Sequence, residues 1–205
     1  CDKYGVLLIF DEIVTGFRLA YGGAQEKYGV TPDICTLGKI IGGGFPLAAI
    51  GASADIMKHF DKAIVGHDKW LMQLGTLSGN PVAAVAGRKT MEILRRPGQY
   101  DRLVAIGIDL QNFQSDALTA AGIDHKICGD ATLFDVLFTT ADCVDYRSAT
   151  NQQPEQAATY NKVLRQHGIL KSPAKMYPSL ALTDSDIEHT KMAVKKAVAG
   201  VLAMR

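Results

Sequence analysis

Gly5-Val-Leu-Leu-Ile-Phe-Asp-Glu-Ile-Val-Thr-Gly-Phe-Arg18 is the stretch whose reading decides the fold. Residues 5–10 are continuously apolar and stop abruptly at Asp11-Glu12, the pattern of a short strand buried on both faces of a parallel sheet. Asp33-Ile-Cys-Thr-Leu37 reads as a second short strand closing on Gly38-Lys39. In open α/β sheets ligands bind beyond the carboxyl ends of the strands. Asp11 and Lys39 stand at two such ends. The turn Gly42-Gly43-Gly44-Phe45-Pro46 follows, and its lack of side chains would let the backbone pass close to a planar ligand.

Working outward, Leu47–Ala52 reads as a small-residue strand and residues 53–60 as a helix. Asn80-Pro81 is a helix start, with Asn as N-cap and Pro in the first turn, and the helix should run to Arg96 before Pro97-Gly98 stops it. Residues 99–121 are helical by the spacing of Leu103, Ile106 and Leu110. Residues 133–138 are a strand candidate and 155–166 another helix. The last helix opens on Thr183-Asp-Ser-Asp186, a capping box with Asp where Glu or Gln is usual, and continues through Ile187, Lys191, Val194, Val198 and Val201. A domain boundary is expected near 96–98, giving domains over residues 1–97 and 98–205.

Composition narrows the function classes. The 205 residues are 47% apolar, with 22 Lys+Arg against 21 Asp+Glu and a net charge of +1. Such a balance gives no electrostatic argument for nucleic acid or an anionic membrane, and no apolar run approaches the ~18 to 20 residues of a spanning helix. Cys1, Cys35, Cys128 and Cys143 are widely spaced without a C-x-x-C pair. That spacing reads as reduced thiols of a cytoplasmic protein, with neither a zinc site nor a disulfide framework. No metal is expected, since His59, His67, His125, His167 and His189 lack ligand spacing and read as surface groups. The opening Cys1-Asp-Lys-Tyr4, with no Met and an apolar strand at once after it, reads as a chain that begins in mid-domain.

Nucleotide motifs fail on inspection. A Walker loop needs Gly six residues before its Lys and Ser or Thr after it, whereas Asp33 and Ile40 stand at those places around Lys39. Gly42-Gly43-Gly44 is likewise no G-x-G-x-x-G leading into a helix.

Four segments together carry a more specific signal: Phe10-Asp-Glu-Ile-Val-Thr-Gly-Phe-Arg18, Gly22-Gly-Ala-Gln25, Thr31-Pro-Asp-Ile-Cys-Thr-Leu-Gly-Lys39 with Ile40-Ile-Gly-Gly-Gly44, and Gly75-Thr-Leu-Ser-Gly-Asn-Pro81. In that order they resemble the class III aminotransferases, which use pyridoxal 5'-phosphate, and within them the glutamate-1-semialdehyde aminomutase-like branch. The resemblance is strongest over residues 5–96. It implies an α/β, fold-type I pyridoxal-phosphate transferase: part of the large mixed-sheet coenzyme domain, then a smaller α+β C-terminal domain.

The resemblance also implies roles. Lys39 matches the catalytic lysine that forms the internal aldimine and later moves a proton between the substrate α-carbon and the coenzyme, which burial and cationic neighbours would favour by keeping its amine neutral. Asp11 matches the aspartate that pairs with the pyridine nitrogen. Ile13 matches the branched residue packed on one ring face. Thr76 matches the threonine that binds the coenzyme phosphate of the neighbouring subunit, with Gly75 permitting the close approach. The helix start at Asn80-Pro81 would offer free N–H groups nearby. A shared phosphate implies a homodimer, and the substrates would be small amino acids, amines or keto acids. Glu12 and Arg18 are read equally as an internal ion pair or as substrate contacts, and Trp70 as packing near the mouth.

Three departures keep alternatives open. The family's N-terminal half, with the Ser/Gly turn that cups the phosphate and the aromatic that stacks on the ring, is absent from this sequence. Lys69-Trp-Leu-Met-Gln-Leu74 is not the usual aminomutase approach to Gly75, and Leu182 stands where aminomutase-like sequences commonly carry His. The readings are therefore a class III transaminase, the aminomutase proper, and a truncated non-catalytic module.

Overall fold

The computed structural model describes residues 1–204, which divide into two compact units, residues 1–100 and the described residues from 101 on. In the first unit β1 (Ile9–Glu12) leads to α1 (Gly23–Tyr28), then β2 (Ile34–Leu37), β3 (Ala49–Ala52), the short helices α2 (Ala54–Met57) and α3 (Lys62–Val65), and the long α4 (Pro81–Leu94). The sheet order is β1-β2-β3. β1 and β2 run parallel with Asp11 opposite Thr36 and Glu12 opposite Leu37, while β3 returns antiparallel with Ala49 opposite Leu37.

The first strand differs from its expected form. It is four residues long, and Val6, Leu7 and Ile9 are 57%, 54% and 59% exposed rather than buried on both faces. The apolar run encodes a strand meant for cover, but β1 is the sheet's outer strand among the described residues, paired with β2 alone. Leu8 N–H, just before it, donates to Asp33 Oδ2 at 2.7 Å, which ties the entry of β1 to the entry of β2.

The Gly42–Gly44 turn also departs from expectation. Residues Lys39–Gly42 form a 3-10 turn, and α4 packs against it. A Cβ on Gly43 would lie 2.5 Å from Thr90 Oγ1 and 2.8 Å from Ala86 O, and one on Gly87 would strike the Ile41 carbonyl. These missing side chains make room for a helix, not for a planar ligand; only Gly44 faces open space. Helix α4 begins as the sequence indicates. Asn80 Oδ1 accepts from Val82 N–H at 2.9 Å and Ala83 N–H at 3.3 Å, and Ala84 N–H bonds the Asn80 carbonyl. The cap thus consumes the N–H groups that were expected to be free for a phosphate.

The second unit follows the turn at Arg96–Gly98 and is built on α5 (Gln99–Ala120), the hairpin β4 (Lys126–Asp130) and β5 (Leu133–Leu137), α6 (Tyr146–Thr150), α7 (Pro154–Gln166) and α8 (Asp184–Leu202). β4 and β5 are antiparallel, with Cys128 opposite Asp135. The sequence marked β5 but not β4, whose Lys, Gly and Asp hide the strand pattern. The core joins Leu118, Val136, Phe138, Tyr160, Leu164, Val194 and Val201 from α5, the hairpin and its exit, α7 and α8. Tyr160, 1% exposed, donates its hydroxyl to Gln114 Oε1 at 2.9 Å, and Gln114 Nε2 returns to the Leu110 carbonyl at 2.9 Å. Each buried polar atom of that pair therefore has a partner. The capping box of α8 forms with the shorter Asp: Thr183 N–H reaches Asp186 Oδ2 at 2.8 Å, and Asp186 N–H reaches Thr183 Oγ1 at 3.2 Å.

Candidate active site

Two strand ends build the site. Asp11 is exposed at the carboxyl end of β1, and its Oδ1 accepts from Ile13 N–H at 3.0 Å and from the Thr36 hydroxyl at 3.3 Å. Oδ2 accepts no hydrogen bond among the described residues. Lys39 stands three residues beyond Thr36, after the extended, buried Gly38. With strands ~4.8 Å apart and ~3.3 Å of rise per residue, the Cα atoms of Asp11 and Lys39 are at most about 11 Å apart. Ile13, the turn residue just after β1, lies over Gly38, where a Cβ would meet Ile13 Cγ2 at 3.3 Å. The structure thus brings Asp11, Ile13 and Lys39 together at one edge of the sheet.

Lys39 has φ +50°, a left-handed conformation unusual for a side-chain-bearing residue. Such a residue costs of order 1–3 kcal/mol and persists where its surroundings enforce it, often at a functional site. Here α4 clamps the turn that Lys39 opens. Contrary to expectation, the Lys39 side chain is exposed rather than buried.

Thr36 is the residue that the sequence did not single out. Its signal was available only through register, since nothing local says that Thr36 lies opposite Asp11.

Glu12 proves to be an anchor. It is 1% exposed, and its carboxylate accepts from Thr15 Oγ1 at 2.7 Å, Ala24 N–H at 2.8 Å, Gln25 N–H at 3.1 Å and Gln25 Nε2 at 3.2 Å. Burial disfavours its charge, but these donors outweigh burial and hold its pKa below the usual carboxylate range. The carboxylate closes the first turn of α1, where an anion is favoured. The chain between β1 and α1 is further held by the Tyr100 hydroxyl, which donates to the Phe17 carbonyl at 2.9 Å.

Gly75 and Thr76 lie in the exposed loop before α4, where Ser78 N–H closes a turn on the Gly75 carbonyl at 2.9 Å. A cavity of about 1070 Å³ opens beside that loop, lined among others by Pro46, Ile50, Phe60, Trp70, Gly75 and Leu77. Asp11, Ile13, Lys39 and Thr76 are not among its walls. The structure therefore does not join the 75–76 loop to the strand-end group. Trp70 lines this cavity and also packs locally, its Nε1–H donating to the Phe60 carbonyl at 3.2 Å.

Of the five histidines, His67, His167 and His189 are exposed, while His59 and His125 are half-buried, a correction to the expectation of surface groups. His125 lies between Ser115 Oγ (3.0 Å) and the Ile123 carbonyl (2.9 Å), which uses both ring nitrogens. Among the described residues no group of three His, Cys, Asp or Glu side chains could hold a metal ion, and no helix is long and apolar enough to cross a membrane.

Comparison with known proteins shows what the chain is similar to. The chain is 40% identical over 203 residues to glutamate-1-semialdehyde 2,1-aminomutase 2 of Brevibacillus brevis, an alignment covering 96% of this chain and 46% of that protein. It superposes on an omega-transaminase from Sphaerobacter thermophilus with a TM-score of 0.88 at 34% identity, covering 98% of this chain and 45% of the other. A transaminase solved with PLP bound gives a TM-score of 0.83 at 27% identity, with 100% and 46% covered. The chain thus spans about half the length of the proteins it matches. The family model for class-III aminotransferases matches residues 1–198, and the chain belongs to that family.

Proposed function

We propose that this chain contributes the coenzyme lysine and the ring-nitrogen carboxylate of a pyridoxal-phosphate-dependent aminotransferase or aminomutase. The observation that carries this reading is the convergence of Asp11 and Lys39 at the carboxyl ends of neighbouring parallel strands, with Ile13 lying over Gly38 beside them. The donor set fits the coenzyme: a carboxylate oxygen left without a donor, a primary amine exposed on an enforced turn, and an apolar branched side chain over Gly38. When bound, pyridoxal phosphate supplies a carbonyl carbon that condenses with amines and a protonated ring that draws electrons from the substrate α-carbon.

The chain's own residues divide the work. Asp11 Oδ2 holds the ring-nitrogen proton, while Ile13 N–H and Thr36 Oγ1 fix the carboxylate through Oδ1. Lys39 Nζ would be the amine that holds the coenzyme and the base that takes up and delivers the α-carbon proton. Ile13 packs against the ring and keeps water from that face. Gly75 and Thr76 bind the phosphate in the neighbouring subunit of a homodimer, which accounts for their separation from Asp11 and Lys39. In this reading residues 1–97 belong to the coenzyme domain, 98–205 form the small domain, and the enzyme works in the cytoplasm on small amino acids, amines or keto acids.

The test is made on the protein as its gene encodes it. Borohydride reduction of the coenzyme-loaded protein followed by peptide mapping should place the label on Lys39, and Lys39→Ala should lose both label and amino transfer. A label on another lysine, or activity retained in Lys39→Ala, overturns the assignment.

The 40% identity to an aminomutase favours a second reading, isomerisation of a semialdehyde within one carbon skeleton. Assaying glutamate-1-semialdehyde beside an amine donor with a keto acid separates the two. Exchange between two substrates without isomerisation supports the transaminase.

A further inference from the structure

We propose that Cys128 and Cys143 form an oxidant-sensitive pair, a modification site at which a peroxide closes an intramolecular disulfide. The geometry comes from the hairpin and the loop that follows it. Lys126 and Cys128 project from the same side of β4, since side chains alternate with a period of two. Lys126 Nζ holds Asp142 Oδ1 at 3.3 Å, which lays the loop after β5 alongside β4. The next residue of the loop, Cys143, then meets the next same-side residue of the strand, and its thiol interacts with that of Cys128. Cys143 Sγ also donates to the Ala141 carbonyl at 3.6 Å, which holds the thiol in this turn. Both thiols are free and only half-buried, so a small oxidant can reach them.

The chemistry balances with hydrogen peroxide as oxidant. The Cys143 thiol loses its proton, the thiolate attacks one peroxide oxygen, the O–O bond breaks, and the departing hydroxide takes up that proton, leaving a sulfenic acid and water. The Cys128 sulfur then attacks the Cys143 sulfur, the S–S bond forms, the S–O bond breaks, and the hydroxyl leaves as water with the Cys128 proton. Two thiols give up two electrons, and one peroxide becomes two waters. The order follows from the surroundings. Burial, together with the neighbouring Cys143, pushes the Cys128 thiol up to about 11, against the opposing effect of Lys126. Cys128 therefore resolves rather than initiates. The bond would pin the loop between β5 and α6 to β4.

Trypsin provides a direct readout, because cleavage after Lys126 and Arg147 yields the peptide of residues 127–147, which contains Cys128 and Cys143 and no other cysteine. The intact protein is treated with stoichiometric hydrogen peroxide, alkylated and digested without reductant. The peptide should appear two hydrogens lighter, refractory to alkylation, and restored by dithiothreitol. In Cys128→Ser the oxidation should stop at a dimedone-trappable sulfenic acid on Cys143. In Cys143→Ser, Cys128 should remain an alkylatable thiol. The proposal is overturned if the wild-type peptide keeps two alkylatable thiols while Cys35 or Cys1 is oxidised. It is equally overturned if Cys143 proceeds to sulfinic acid without the link.

Discussion

Thr36 and Asp11 face each other across the parallel β1–β2 pair, and the Thr36 hydroxyl donates to Asp11 Oδ1 at 3.3 Å while Ile13 N–H reaches the same oxygen at 3.0 Å. Two neutral donors on one oxygen set the rotation of the carboxylate and leave the other oxygen uncommitted. This arrangement turns an acidic strand end into an oriented acceptor.

Replacing Thr36 by Val keeps the branched shape and β propensity and removes only the hydroxyl. Loss of one hydrogen bond to a charged group corresponds to about 1.5 kcal/mol, or roughly tenfold weaker coenzyme binding. Coenzyme titration should show this weakening, with the urea midpoint nearly unchanged. Equal coenzyme affinity in the variant would remove Thr36 from the site.

Lys39→Gly should relieve the left-handed strain at φ +50°. Stability is expected to rise by about 1 kcal/mol, set against some gain in unfolded-chain entropy, while coenzyme attachment is lost. Chemical denaturation checks the first effect and absorbance of the bound coenzyme the second. A destabilised Lys39→Gly would mean that the turn is not strained.

Glu12 makes stability depend on pH with a definite sign. Its folded pKa lies below the ordinary glutamate value of 4.5, so between the two values the unfolded chain binds more protons. Stability from Glu12 is then complete above about pH 4.5 and is lost as pH falls through the folded value. Glu12→Gln should flatten this part of the stability profile. Glu12→Ala, which leaves Thr15, Ala24 and Gln25 donors without their acceptor, should cost about 3 kcal/mol in urea denaturation at neutral pH. An unaltered acid limb in Glu12→Gln would contradict this account.

Gly87→Ala tests the helix clamp on the Lys39 turn. Helix propensity alone would stabilise the variant by about 1 kcal/mol. The added methyl would instead strike the Ile41 carbonyl and lie 3.0 Å from Leu47 Cδ2. Overpacking of this kind costs about 1–3 kcal/mol, so net destabilisation is expected in thermal unfolding. A more stable Gly87→Ala would show that α4 does not bear on the turn.

The elements legible in the sequence were those whose signals are local. Asn80 caps α4 and Thr183 pairs with Asp186 within three residues along the chain, so the residue types alone announce the structure. The strand Ile34–Leu37 and the helix Pro154–Gln166 fall close to their expected bounds for the same reason. β4 was missed because its polar residues are supported by the hairpin partner and the loop beyond it. Asp11, Ile13 and Lys39 were marked by motif and strand-end position, and their proximity follows from two neighbouring parallel strands.

The sequence by itself determined the caps, the parallel pair of strands and the charged residues at their ends, because each depends on neighbours a few residues away. Only the tertiary structure decided what the glycines at 43 and 87 are for, which acceptor Glu12 provides, that Thr36 orients Asp11 and that Cys143 meets Cys128. Those outcomes rest on strand register and on the close approach of distant segments. A one-residue slip would turn every such side chain to the other face, and no local pattern encodes it.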